Sequence, residues 1–164
     1  MVGNPKLDRI DINILAQLQV DGGLTNVKLA DAVGLSPSPC LQRVKRLEKA
    51  GYILKYRAQL NVSKLVEHVV VFTEVTLVDH RRDDFLKFER EISKLENLEE
   101  IHLISGGYDY LLKFTVRNIS HYQDIITKIL ELNIGVGKYF SYIVIRTLLD
   151  RGYVPLKSII SEKE

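Results

Sequence analysis

The chain of 164 residues has one cysteine, one methionine and no tryptophan, with only four prolines. A lone thiol, Cys40, excludes an intrachain disulfide and a cysteine metal cluster, and fits a reducing compartment. No uninterrupted apolar run approaches the ~20 residues needed to span a bilayer, so no membrane partner is expected. The opening Met1-Val2-Gly3-Asn4-Pro5-Lys6 lacks an apolar core, and Asp8 and Asp11 follow at once. No secretory leader is therefore expected, and the expected location is the cytoplasm. The four histidines, His68, His80, His102 and His121, are scattered without metal-binding spacing. There is no Walker A sequence, and Gly106-Gly107 is too short for a dinucleotide fingerprint. Asp83-Asp84 and Glu99-Glu100 read as solvated ends of elements. No metal, no cofactor and no catalytic residue is expected.

Hydrophobic residues make up 46% of the chain and charged residues 27%, the balance of a folded globular protein. Net charge is only +2, but it is unevenly divided. Residues 1–57 carry nine Lys/Arg and five Asp/Glu, whereas residues 58–164 carry fourteen and sixteen. A basic front and a mildly acidic back predict two modules with different partners.

Helical spacing of Leu7, Ile10, Ile14, Leu15 and Leu18 predicts a first helix over 8–19. Thr25 can cap a second, ending at Val33, with Leu29, Ala30 and Val33 inward and Gly34 in the left-handed position. Ser36 can cap a third helix that runs to Ala50, with Pro37 at its first position. The three-residue link Gly34-Leu35-Ser36 is the short turn of a helix-turn-helix. Tyr52–Arg57 reads as a wing strand and residues 58–68 as a connector. Strands over 69–78, 100–105, 110–116 and 138–148, and helices over 82–95 and 120–131, then predict a βαββαβ order. The fold class expected is α+β.

On the third helix, Cys40, Leu41, Val44 and Leu47 share one side. Ser38, Pro39, Gln42, Lys45, Arg46 and Lys49 point away from it, and Arg43 flanks. Four cations and an amide suit a helix in the major groove of double-stranded DNA, where Arg pairs with guanine and Gln with adenine. Ser36 and Ser38 stand where free N–H groups can meet phosphate. The competing explanation is a solvated basic face.

The run Leu35-Ser36-Pro37-Ser38-Pro39-Cys40-Leu41-Gln42-Arg43-Val44-Lys45-Arg46-Leu47-Glu48, then Gly51-Tyr52-Ile53, closely resembles the helix-turn-helix of the Lrp/AsnC (feast/famine) regulators. Leu7–Asp11 and Leu24–Ala30 are similar to the same family, and Ile104-Ser105-Gly106-Gly107-Tyr108-Asp109-Tyr110-Leu111-Leu112 resembles its effector signature. The resemblance spans residues 6 to 157. It implies a winged helix-turn-helix (1–57), a connector (58–68) and a ferredoxin-like, RAM-type effector domain (69–164). It also implies a homodimer, often assembled further into an octamer.

The resemblance further implies a small-molecule effector, commonly an amino acid, held by Gly106, Tyr108, Asp109 and Tyr110, with Gly135, Val136, Tyr139 and Ser141. Asp109 can accept from an α-amino group and nearby N–H groups can hold a carboxylate, unless Asp109 simply caps its own turn. In place of the Lys-x-Thr-Thr-like stretch of many members stands Leu149-Asp150-Arg151-Gly152-Tyr153-Val154-Pro155-Leu156, so contacts made by those threonines do not carry over. His102 is expected beside the signature, where its titration would make the response pH-sensitive. Two rival functions share this fold. One is an enzyme similar to siroheme decarboxylases, which the outward cations of the third helix disfavour. The other is an effector-sensing partner protein that does not touch DNA.

Overall fold

The computed structural model describes residues 6–160; the expected absence of a leader concerns residues that begin outside this range. The described chain forms two compact units, one up to Leu60 together with the segment from Leu149 on, the other Asn61–Leu148.

In the first unit α1 (Arg9–Val20), α2 (Asn26–Val33) and α3 (Pro37–Lys49) surround Ile14, Leu29, Ala30, Cys40, Val44 and Leu47. Asp8 starts α1 with a capping box, its Oδ1 accepting from the Asp11 N–H at 2.8 Å while Asp11 Oδ2 accepts from the Asp8 N–H at 3.1 Å. Thr25 caps α2, and Gly34 follows with φ +70°. Leu41, expected inward, is 42% exposed, because it lies at the margin of the stripe that Cys40, Val44 and Leu47 bury. Ser36 precedes α3 but makes no side-chain cap bond. A cap serine normally accepts from the second or third helical N–H, and Pro39 in the third position has none to give.

Tyr52–Arg57 forms no strand. No strand of the described residues lies beside it, and Leu54 is 87% exposed. The segment from Leu149, expected in the effector domain, packs with the first unit. There Asp150 Oδ1 accepts from the Gly152 N–H at 2.8 Å and Gly152 adopts φ +63°, an Asx turn that reverses the chain. Gln19 then clasps Val154, donating to its carbonyl at 2.6 Å and accepting from its N–H at 3.2 Å. A short unforeseen helix, α6 (Leu156–Ile160), follows against α1. The Asp150-Arg151-Gly152 departure is thus a turn.

The second unit runs β1 (Val69–Leu77), α4 (Arg82–Ile92), β2 (Leu98–Leu103), β3 (Tyr110–Val116), α5 (Ile119–Glu131) and β4 (Val136–Ile143), after a single 3-10 turn at Val62–Lys64. All neighbours are antiparallel, in the order β2-β3-β1-β4. This is the predicted βαββαβ arrangement. Alternation along β1 and β3 buries Val71, Val75, Leu77, Tyr110, Leu112, Phe114 and Val116 against Phe88 and Ile92 of α4 and Tyr122, Ile125, Ile126 and Ile129 of α5. Asn118, rather than Ser120, caps α5 by accepting from the His121 N–H at 2.8 Å. β4 stops short of the expected 148 because β1, its antiparallel partner, begins at Val69.

Candidate DNA-reading helix and effector site

Asn26, at the start of α2, donates through Nδ2 to the Pro37 carbonyl at 2.8 Å and so ties the first turns of α2 and α3 together. Ser36, Ser38, Pro39, Gln42, Lys45 and Lys49 are exposed, and neither lysine meets a carboxylate among the described residues. The two arginines differ. Arg43 Nη1 donates to Asp8 Oδ2 at 2.6 Å and to Asp11 Oδ1 at 2.9 Å, and its side chain is only 27% exposed. Arg46 Nη2 donates to Asp11 Oδ2 at 2.5 Å, yet 46% of its side chain remains exposed. The Asp11 N–H, and secondly the Arg43 guanidinium, hold the Asp8 carboxyl below its usual range. The helical wheel places both arginines near the outward face, but it cannot show that α1 supplies carboxylates to them. Cys40 is fully buried and burial raises its thiol pKa, the state of a packing residue.

In the second unit, two loops predicted to hold an effector converge on the end of β1. Asp109 Oδ2 accepts from the Leu77 N–H at 2.7 Å, and the Gly135 carbonyl accepts from the next N–H, that of Val78, at 2.9 Å. The Asp109 backbone is fixed as well: its N–H donates to the Val75 carbonyl at 2.9 Å and its carbonyl accepts from the Ile104 N–H at 2.8 Å. Asp109 therefore clamps a neighbouring strand rather than capping its own turn. Gly106 is exposed and Tyr108 half-buried in the same loop, and Gly135, at φ +84°, leads into Val136.

Three candidates lie elsewhere. Tyr110 is 1% exposed, packs on Phe88 at 4.6 Å between ring centroids and donates to Glu89 Oε1 at 2.8 Å. Burial, then the Glu89 carboxylate, push its pKa upward. It is a core residue. Tyr139 and Ser141 pair with Val75 and Thr73 across β1–β4 and line a cleft of about 510 Å³ beside α5. There Ser141 Oγ lies 2.6 Å from the Tyr122 hydroxyl, which is 2.7 Å from Thr73 Oγ1.

His102 lies beside the signature as expected, paired with Leu111 across β2–β3, but its Nε2 lies 3.0 Å from Glu100 Oε2 on its own strand. The histidine at Asp109 is His80, with Nε2 3.0 Å from both carboxylate oxygens. It sits 29 residues away, in the loop after β1, and no local pattern announces it. Among the described residues no group of acidic, histidine or cysteine side chains is arranged to hold a metal, and no helix is long and apolar enough to cross a membrane.

A helix-turn-helix with a basic reading face, joined to a separate βαββαβ unit with converging binding loops, defines a DNA-binding regulator with a ligand-binding domain. The family described as winged helix-turn-helix DNA-binding matches residues 7–53, and the Lrp/AsnC ligand binding domain matches residues 70–154. A leucine-responsive regulatory protein of Haemophilus influenzae is 44% identical, over 94% of this chain and 93% of that protein. The crystal structure of a transcriptional regulator from Neisseria meningitidis in complex with L-Met aligns with a TM-score of 0.87 at 31% identity, over 94% of this chain and 100% of the other. An AsnC family transcriptional regulator from Agrobacterium tumefaciens aligns equally well, TM-score 0.87 at 28% identity, with the same coverage of both chains. The chain belongs to the Lrp/AsnC family. It is a DNA-binding transcription regulator whose action is modulated by a small-molecule effector.

Proposed function

We propose that this regulator reads a pseudo-palindromic operator as a homodimer and responds to an amino acid bound at Asp109. Two copies of α3 would enter successive major grooves, with Ser36, Ser38, Pro39, Gln42, Lys45 and Lys49 facing the duplex. Arg43 positions α3 on α1, and Arg46, which gives one of its five N–H donors to Asp11, still reaches for phosphate. A cytoplasmic, non-enzymatic regulator accords with the membership of its family.

The observation that carries the effector reading is the convergence of the Asp109 and Gly135 loops on consecutive N–H groups of β1. A carboxylate and a glycine-bordered backbone, held at one place, suit the ammonium and carboxylate of an amino acid. The names of two relatives supply the first ligands to try, leucine and methionine. Phe140 and Tyr142, each about half exposed on the helix-free sheet face (50% and 51%), favour covering by a second copy, and a higher assembly such as an octamer would build on that dimer.

The test is Asp109→Asn, which keeps an acceptor for the Leu77 N–H and removes the charge. The variant is expected to lose the change in DNA affinity that leucine or methionine produces, while effector-free DNA binding stays close to wild type. An undiminished response would contradict the assignment; loss of DNA binding as well would mark Asp109 as a folding residue.

A further inference from the structure

The Asp109 carboxylate has little open surface. Its side chain is 16% exposed, one oxygen is taken by the Leu77 N–H, and the remaining approach is covered by His80, whose Nε2 lies 3.0 Å from both oxygens. The His80 ring is 54% exposed on its outer side and backed by Phe85, 5.8 Å between centroids, which itself leans on Tyr110 at 5.9 Å. An ammonium group seeking Asp109 would meet the imidazole first.

We propose that His80 is a resident latch on the amine subsite: its ring N–H holds the Asp109 carboxylate when the site is empty and must swing aside before an amino-acid ammonium can take its place. This rests on the reading of Asp109 as the amine acceptor. The exchange is feasible because His80 lies on the surface, so that rotation into water leaves no buried void and no orphaned donor. It also sets a threshold. Every effector molecule must break the resident charge-assisted bond before forming its own, so apparent affinity falls by the fraction of molecules in which the latch is open.

The experiment is calorimetric titration of L-leucine and L-methionine into the full-length protein, its His80→Ala and His80→Gln variants, and Asp109→Asn alone and combined with His80→Ala. The latch predicts that His80→Ala binds roughly tenfold more tightly, the worth of one hydrogen bond to a charged group. His80→Gln, whose amide reaches to the same depth as Nε2, returns toward wild type, and the gain vanishes in the Asp109→Asn background. Unchanged or weaker binding by a folded His80→Ala protein overturns the latch, as does equal tightening in His80→Gln, which would point to ring bulk. Wild-type binding by Asp109→Asn, or no binding of either amino acid by any of these proteins, overturns the site reading itself.

Discussion

Arg46 Nη2 lies 2.5 Å from Asp11 Oδ2, a carboxylate with no exposed surface that also receives Arg43 on its other oxygen at 2.9 Å. One acidic residue of α1 thus orders two arginines of the reading helix. Replacing it leaves Arg43 paired with Asp8 and Arg46 nearly half exposed to water, rather than stranding a buried charge, so the cost is below that of breaking a fully buried pair. Asp11→Ala is expected to lower stability by about 1–3 kcal/mol, read by denaturant unfolding. An unchanged midpoint would mean that the ion pairs contribute nothing to holding α3.

Lys45 and Lys49 meet no carboxylate among the described residues and stand exposed on α3. Each contact with a DNA phosphate releases about one counterion, so Lys45→Ala and Lys49→Ala should each lower the log–log salt slope of binding by about 1 without altering the unfolding midpoint. A slope equal to wild type would remove that lysine from the interface.

Gly34 ends α2 at φ +70°, with nothing within 4 Å of where a Cβ would stand. A side chain there meets no neighbour, so the penalty is that of the left-handed backbone alone. Gly34→Ala should therefore cost about 1–2 kcal/mol, seen as a lower thermal midpoint. Equal stability would show that the turn relaxes to another conformation.

The Tyr110 hydroxyl is buried against Glu89, and its pKa lies above the ordinary value of 10.0. Tyrosinate is thus favoured in the unfolded chain. Stability from this residue is fully present below pH 10 and declines as the pH rises beyond it toward the raised folded value. Tyr110→Phe should lose the hydrogen bond, about 1 kcal/mol at neutral pH, and flatten the alkaline decline measured by unfolding between roughly pH 9 and 11. A variant as pH-sensitive as wild type would place the decline in other groups.

Much of the architecture was legible because the side-chain periods are strong. The stripes of α3 and α5 and the alternation of β1 and β3 bury the residues that spacing alone selects, Leu41 apart. Features that need a partner from elsewhere in the chain were not legible. The Tyr52–Arg57 segment has strand-forming residues but no strand beside it, and the length of β4 is set by where β1 begins. The same holds at the sites. Arg43 and Arg46 read as free cations until Asp8 and Asp11 are brought beside them, 32 to 35 residues away. Tyr110 adjoins Asp109 in the signature, yet the pleat turns its ring into the core. His80 reaches Asp109 only through the pairing of Val75 with Tyr110.

The central claim is that α3 reads DNA under the control of an amino acid bound in the second unit. The most direct test is fluorescence anisotropy of a labelled duplex from upstream of the protein's own gene, beside a scrambled duplex, across salt and with or without leucine or methionine. The account predicts selective binding with a steep negative salt slope, and an affinity for the specific duplex that shifts when an amino acid is added. Equal, weak binding to both duplexes at every salt concentration, unmoved by either amino acid, would contradict it.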